Sequence, residues 1–297
     1  MKRHPVVVRL CALVAVLAVL LDAGRIEIGN GRHLYIDCRG TGKPTVLLIA
    51  GLRTRGDVWQ HVTQRNGVPV MSAVQRSARV CTYDRPGTAI GTQRADLSRS
   101  DPVRMPQTAA DSVRDLHALL SSTKLRGPYV LAGHSFGGLI ALLYALRYPR
   151  SVQGVVLVDA LSPKLRAQMS DAQWKTYTAV NMRALPGLEH YRDLEAMDFT
   201  KSLEQVNRAA RASGWPSVPI VVLAKSDPFQ IENLPLPKGF AAALNAAWSK
   251  AERRLAASLP NASYAVIASG HDIELTRPDV VVAAIRHVIK AAQKRAR

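Results

Sequence analysis

The stretch VLAGHSFGGLIALLYAL, residues 130–146, decides the fold class. It opens as an apolar run that predicts a buried strand, makes an abrupt polar turn, and resumes as an apolar run that predicts a helix. Core packing does not require a hydroxyl at such a turn, yet Ser135 stands there in the pattern G-x-S-x-G. On a strand, turn and helix this pattern indicates a nucleophilic serine, because the glycines permit a strained turn that lifts the hydroxyl above the sheet edge.

Further short apolar or β-branched runs predict strands on either side of this stretch, with helical patterns between most of them. The predicted strands cover residues 25–29, 34–38, 45–50, 80–84, 129–133, 155–159, 220–224 and 264–268. The central ones are continuously apolar, which is typical of strands buried on both faces of a parallel sheet. Asn30-Gly31 between the first two is a hairpin signal. The sequence therefore predicts an α/β protein with an antiparallel start, a mostly parallel sheet and helices on both faces.

One connection between predicted strands is too long for a loop. Residues 161–218 separate the sixth and seventh strands, are rich in helix formers and carry several Trp and Tyr side chains. A segment of this length favours a helical insertion over an irregular loop. We predict a mobile lid over 161–218, covering a site in a core domain made of residues 25–160 and 219–297.

The first residues, 1–24, predict a segment for export. Lys2 and Arg3 precede the unbroken apolar stretch Leu10–Leu21, which is too short to span a bilayer comfortably and is typical of a secretory signal. An uncleaved N-terminal anchor is the alternative, because no clean cleavage site follows the stretch. We expect a protein that is secreted or associated with the cell envelope.

Net charge and cysteine content bear on partners and compartment. The formal net charge is +18 and is spread along the chain, without a zinc pattern, an RNA-binding signature or an aromatic-interleaved basic stripe. The charge therefore indicates no nucleic-acid partner and fits either a solvated basic face or attraction to an anionic cell-envelope surface. Cys38 and Cys81 lie outside the predicted signal. An even count in an oxidising compartment suggests a pair, and two small buried side chains are the alternative.

A nucleophilic serine needs a base, and the base needs an orienting acid. Among eight histidines, His271 is the candidate base, because it follows the last predicted strand after the flexible pair Ser269-Gly270. Two carboxylates at strand ends are candidate acids, Asp227 after the seventh strand and Asp159 at the end of the sixth. Either gives the chain order serine, acid, histidine. We favour Asp227 and keep Asp159 as the alternative acid.

Two backbone amides are candidate oxyanion donors. Phe136 follows the serine at the positive end of a predicted helix, so its N–H can donate to a developing oxyanion. The second donor should come from the loop after the third strand, where Gly51 allows close approach of the backbone and Leu52 follows. The sequence contains no HExxH, C-x-x-C, P-loop or glycine-rich dinucleotide turn, and it therefore indicates neither a metal nor an organic cofactor.

Taken together, these motifs resemble those of the α/β-hydrolase-fold serine hydrolases over nearly all of residues 25–293. The resemblance rests on GHSFGG, on YDRPGTAIG at 83–91, on LVDA and on SGHDIELTRPDVV. It implies an eight-stranded sheet with a lid after the sixth strand, and an exported bacterial esterase- or lipase-like subgroup. It also implies a disulfide between Cys38 and Cys81, since it places the second strand beside the fourth. One departure is Ala50, where the family frequently has a histidine before the glycine.

The resemblance and the triad candidates imply cleavage of carboxylic esters through an acyl-enzyme, on a small and partly hydrophobic substrate. Peptidase, thioesterase, lactonase and cofactor-free perhydrolase activities are alternatives, because one fold supports many substrates. A non-catalytic ligand-binding envelope protein is the alternative from a different class. Reaction with a fluorophosphonate probe separates an active serine from a binding module.

Overall fold

A single eight-stranded sheet forms the centre of the computed structural model, which describes residues 23–183, 185–231 and 233–295. Its strands are β1 Ala23–Glu27, β2 His33–Arg39, β3 Thr45–Ile49, β4 Arg79–Tyr83, β5 Tyr129–His134, β6 Val152–Val158, β7 Ile220–Lys225 and β8 Ala262–Ile267. They lie in the order β1-β2-β4-β3-β5-β6-β7-β8. β2 pairs antiparallel with β1 and with β4, and the other neighbours are parallel. The predicted α/β class and mostly parallel sheet are confirmed.

Two apolar cores sandwich the sheet, because side chains along each strand point alternately to its two faces. In β3, Leu47 and Ile49 belong to one core, and Val46 and Leu48 belong to the other. This alternation explains why the central strands are apolar without interruption: neither face meets water.

Helices close both cores. They are α1 Val70–Val74, α2 Ala109–Ser122, α3 Phe136–Arg147, α4 Asp171–Met182, α5 Phe199–Ser213, α6 Phe240–Ser258, α7 Ile273–Thr276 and α8 Pro278–Arg295. Buried side chains of α2, α3, α5 and α6 join the first core, and those of α1 and α8 join the second. A capping box begins α2, with the Thr108 side chain accepting from the backbone N–H of Asp111. Parallel strands with helices on both faces bring the loops after the strands to one edge, where sites of this architecture form.

The chain between β6 and β7 contains α4 and α5, and we call residues 161–218 the insertion. It lies over the first core, where the Ser202 hydroxyl of α5 accepts from the backbone N–H of Ala109 at the start of α2, at 2.9 Å. Trp174 stacks on Tyr177 with ring centroids 5.2 Å apart. The insertion therefore brings its own aromatic cluster to the edge of the sheet.

Cys38 and Cys81 face each other across β2 and β4 and are joined by a disulfide. Of the predicted export segment, residues 1–22 lie outside the described residues, and Ala23 and Gly24 already belong to β1. Within the described ranges, no helix combines the length and the apolar character that crossing a bilayer demands.

Candidate active site

Ser135 occupies a sharp turn between β5 and α3. Its φ is 52° and its ψ is −120°, a backbone conformation that non-glycine residues rarely adopt. The turn is held on both sides, because the Ser135 N–H donates to the carbonyl of Val158 and the Ser135 carbonyl accepts from Leu161 N–H. Strain of this kind persists where surrounding contacts impose it, and here it presents the hydroxyl at the rim of a cavity.

The two glycines of G-x-S-x-G are required by backbone packing. A Cβ on Gly133 would lie 2.3 Å from the carbonyl oxygen of Gly137, and a Cβ on Gly137 would lie 2.2 Å from that of Ile49. Both distances are far below van der Waals contact. The glycines let α3 begin directly against β3 and β5, which fixes the height of Ser135 above the sheet.

His271 is oriented by Asp159. Its Nδ1 lies 2.5 Å from Oδ2 of Asp159, which is fully buried. The other carboxylate oxygen accepts from the backbone N–H of Lys225 at 3.0 Å and from Nε1 of Trp248 at 3.2 Å. With a buried carboxylate accepting from Nδ1, the proton resides there and Nε2 is left as the basic nitrogen.

The structure corrects the predicted placement of Asp227 beside His271. Asp227 is exposed, and its Oδ1 accepts from the neighbouring Ser226 hydroxyl at 2.6 Å. β7 ends at Lys225, so Asp227 lies two residues beyond the sheet edge, in a turn that faces solvent. Asp159 instead follows β6 directly with a φ of 37°, and this turn directs its carboxylate over the end of β7. The sequence identified both strand ends and could not reveal that backbone turn.

Two cavities meet at Ser135 and His271, which line both of them. The larger measures about 640 Å³ and the smaller about 210 Å³. The smaller is walled by aromatic and aliphatic side chains: Tyr177, Val180, Phe229, Ile231, Phe240, Leu244 and Trp248. Val180 and Asn181 of the insertion line both cavities. A bond cleaved at Ser135 therefore has space on either side of it.

The predicted oxyanion donors flank Ser135. Leu52 lines the larger cavity together with Ser135, and a Cβ on the preceding Gly51 would lie 3.4 Å from the Ser135 Cβ. Phe136 is the first residue of α3, whose first-turn N–H groups have no partner within the helix. Leu52 therefore shares the cavity wall with Ser135, and Phe136 follows Ser135 directly in the chain.

The buried pair His134 and Glu274, which the sequence analysis did not single out, contacts the backbone of His271 through His134. His134 Nδ1 lies 3.0 Å from Oε1 of Glu274, and His134 Nε2 lies 3.1 Å from the backbone carbonyl of His271. Burial, and then the charge of Asp272, raises the pKa of Glu274 well above its ordinary 4.5. Burial, and then the charge of His271, lowers the pKa of His134 well below 6.5. Both shifts favour the neutral forms, and neutral His134 can donate from Nε2 to the His271 carbonyl.

His134, Asp272 and Glu274 each offer an atom within 4.8 Å of the others, close enough to consider a metal ion. The contacts of His134 with the His271 carbonyl and with Glu274 join this cluster to the loop that carries His271. An acid three residues after the candidate base, in SGHDIELTRP, was its only sequence signal.

Glu252 of α6 lies buried near Asp159, and no sequence pattern indicated this contact. Burial, and then the Asp159 charge, raises the pKa of Glu252 well above its ordinary 4.5. This shift favours the neutral carboxyl, which adds no second negative charge beside Asp159.

The sequence profile of the alpha/beta hydrolase family matches residues 46–284, most of the chain. The chain belongs to the alpha/beta hydrolase family. The resemblance to the alpha/beta-hydrolase fold that the motifs carry is thereby confirmed.

Individual members of the alpha/beta hydrolase family are distant. The uncharacterized protein YqjL of Bacillus subtilis strain 168 is 25% identical over 189 residues, which are 64% of each chain, so this chain spans less than two thirds of that relative. Est816, described as an N-acyl homoserine lactone degrading enzyme, superposes with a TM-score of 0.57 at 19% identity, over 89% of this chain and 99% of its own. A thermophilic esterase from Thermogutta terrifontis superposes with a TM-score of 0.56 at 18% sequence identity, over 91% of this chain and 98% of its own. At these identities the two structures establish the fold alone.

Proposed function

We propose that this alpha/beta hydrolase cleaves carboxylic esters through an acyl-enzyme formed on Ser135. The observation that carries the proposal is the 2.5 Å contact of the buried Asp159 carboxylate with His271. His271 lines the same cavity as Ser135. A serine on a strained turn, a histidine and a buried acid are the three parts that nucleophilic acyl transfer needs.

In the proposed mechanism, His271 Nε2 takes the Ser135 proton as Oγ attacks the acyl carbonyl. Asp159 stabilises the imidazolium that forms, and the N–H groups of Leu52 and Phe136 donate to the oxyanion. Collapse of the tetrahedral intermediate breaks the ester C–O bond, and His271 returns its proton to the departing alkoxide. Water then attacks the acyl-enzyme in the same way, which releases the acid and regenerates Ser135.

The substrate we propose is partly apolar. The smaller cavity is lined by aromatic and aliphatic side chains, and its volume of about 210 Å³ suits one short apolar group beside the scissile bond. The larger cavity also carries polar groups, including Thr54, Thr92 and Asn181. Esters with one compact apolar side and one larger polar side should therefore turn over fastest.

A fluorophosphonate probe and a p-nitrophenyl ester series test the proposed activity. The wild-type protein should label at one serine and hydrolyse short-chain esters, and Ser135→Ala should lose both. Removal of a triad nucleophile typically lowers turnover by about 10⁶-fold. Ser226→Ala, an exposed serine at the same sheet edge, is the matched control. Labelling that persists in Ser135→Ala would place the nucleophile elsewhere, and a wild-type protein that neither labels nor hydrolyses would favour a ligand-binding role.

We also propose that the insertion is a lid that selects chain length. Tyr177, which lines the smaller cavity, belongs to it. Tyr177→Ala should shift the preferred acyl or alcohol chain to longer groups without loss of Ser135 labelling. Lys175→Ala, an exposed change on the same helix, should leave the preference unchanged. If the wild-type protein, Tyr177→Ala and Lys175→Ala preferred the same chain length, the insertion would not select the substrate.

We propose export and a cell-envelope location. The basic start, the apolar stretch Leu10–Leu21 and the net charge of +18 support this proposal. Fractionation of cells making the full chain tests it, and N-terminal sequencing tells a cleaved signal from a retained anchor. Anionic vesicles should bind the protein and release it as salt rises, because charge attraction is screened. Recovery from the cytosol would contradict export.

A further inference from the structure

The guanidinium of Arg85, two residues after β4 in the YDRPG stretch, holds the loop that carries Leu52. Its Nη1 donates to the Ala50 carbonyl at 2.8 Å and its Nη2 to the Gly51 carbonyl at 2.6 Å. Only 3% of the Arg85 side chain is exposed. A cation this deeply buried requires a counter-charge.

Glu195 of the insertion supplies that counter-charge. Its Oε1 accepts from Arg85 Nε at 2.6 Å, and its Oε2 accepts from Nη2 at 3.0 Å. Burial alone would lower the pKa of Arg85, but the charge and hydrogen bonds of Glu195 outweigh it and hold that pKa above its ordinary value. Arg85 and Glu195 are therefore a buried, charged, two-point pair that joins the sheet edge to the insertion.

Further contacts keep Glu195 on this loop. Its Oε2 also accepts from the backbone N–H of Arg53 at 2.5 Å, and its backbone carbonyl accepts from Arg53 Nε at 2.9 Å. Its backbone N–H donates to the Gly87 carbonyl at 2.8 Å. A Cβ on Gly87 would lie 2.6 Å from the Glu195 nitrogen, so the glycine allows the approach.

Because the peptide bond is planar, the Arg85–Glu195 pair constrains the orientation of one backbone amide. In a trans peptide the C=O of one residue and the N–H of the next point in opposite directions. Arg85 fixes the Gly51 carbonyl, and the Leu52 N–H must therefore point away from the guanidinium. Leu52 lines the cavity that contains Ser135. Gly51 lacks a Cβ and could adopt other backbone conformations, so the guanidinium selects among them.

We propose that the Arg85–Glu195 pair is a positioning device for the oxyanion hole, which holds the Leu52 N–H toward the reacting oxygen and makes that orientation depend on the docked insertion. The inference rests on the proposed function, because it requires an oxyanion at Ser135. Arg85 and Glu195 act through the backbone and do not touch the substrate.

Glu195→Gln tests the proposal with the side-chain volume kept and the charge removed. We expect kcat on a p-nitrophenyl ester to fall by about 10²-fold with KM nearly unchanged, as for loss of one oxyanion donor. Affinity for an alkyl boronic acid, which forms a tetrahedral adduct on the serine, should fall by the same factor, because both readouts depend on the oxyanion. Arg85→Lys should have the same effect, since one ammonium nitrogen with three donors cannot reproduce the four hydrogen bonds of the planar guanidinium.

Asp84→Asn is the matched control. Asp84 is fully buried and pairs with Arg99 through bonds of 2.6 and 2.9 Å, one residue from Arg85. This variant should lose thermal stability yet keep kcat and boronate affinity. Wild-type boronate affinity in both Glu195→Gln and Arg85→Lys, or an equal loss in Asp84→Asn, would overturn the inference. A wild-type protein that neither hydrolyses the ester nor binds the boronate would instead refute the proposed function.

Discussion

Single substitutions can decide which aspartate orients His271. Replacing an orienting aspartate by asparagine keeps its shape but favours the wrong imidazole tautomer, which lowers turnover by about 10⁴-fold in serine triads. Because Asp159 contacts His271, Asp159→Asn should show a loss of that order in kcat. Asp227→Asn should retain nearly full activity, since the exposed Asp227 side chain contacts Ser226. Circular dichroism of both variants controls for folding, and the opposite ranking of the two kcat values would return the role to Asp227.

The buried Glu252 makes a prediction about pH. Its pKa is raised in the folded protein, so its contribution to stability is full below about pH 4.5 and is lost progressively as pH rises toward the folded pKa. Gln cannot ionise, so Glu252→Gln should not lose stability at this position as pH rises. The melting temperature of the variant minus that of the wild type should be constant below pH 4.5 and should increase above it. Lys250→Gln, an exposed change on the same helix, should show no such rise; a flat difference for Glu252→Gln would mean that the carboxyl is charged in the folded state.

At the scale of elements, the contact of α3 with β3 should tolerate no side chain at Gly137. A Cβ there would meet the carbonyl oxygens of Ile49 at 2.2 Å and Ala50 at 2.5 Å, and these are backbone atoms with no flexible side chain to move. Gly137→Ala should destabilise the protein by about 3 kcal/mol, the upper range for overpacking, and should displace Ser135. Gly270→Ala, where a Cβ meets nothing within 4 Å, is the control, and urea unfolding gives both values. Equal stability of the two variants would contradict the close packing at the turn.

The elements were predictable from sequence where one signal dominated. Continuous apolar runs identified the strands, and the glycine–serine pattern between β5 and α3 identified the nucleophile candidate, because packing and backbone strain act there through neighbouring residues. The partner of His271 depends on how the chain turns after β6, where Asp159 adopts a positive φ. Arg85 and Glu195 are 110 residues apart, and no local pattern in a single sequence joins them. Long-range pairing of charges is therefore what the sequence could not reveal.

For the whole molecule, the disulfide between Cys38 and Cys81 should matter chiefly through the unfolded chain. It links residues separated by 43 positions, and closing a loop of that size in the unfolded state stabilises the fold by about 4 kcal/mol in the chain-entropy treatment. The double variant Cys38→Ala/Cys81→Ala should lose about 2–4 kcal/mol of unfolding free energy in urea. Activity of the folded fraction should persist, since both side chains lie at β2 and β4, away from His271. An unchanged unfolding free energy would count against a disulfide in solution.

The meeting of two cavities at Ser135 has a kinetic consequence. In the proposed mechanism, the group that departs first would leave its own cavity while the acyl group stays bound in the other, so the vacated space would open onto the acyl-enzyme. An alcohol that fits there competes with water for the acyl group. Hydrolysis should therefore follow a ping-pong scheme, and adding a fitting alcohol should divert product from free acid to a new ester. The size of the vacated cavity would then set which acceptors succeed, a selectivity separate from that for the ester consumed.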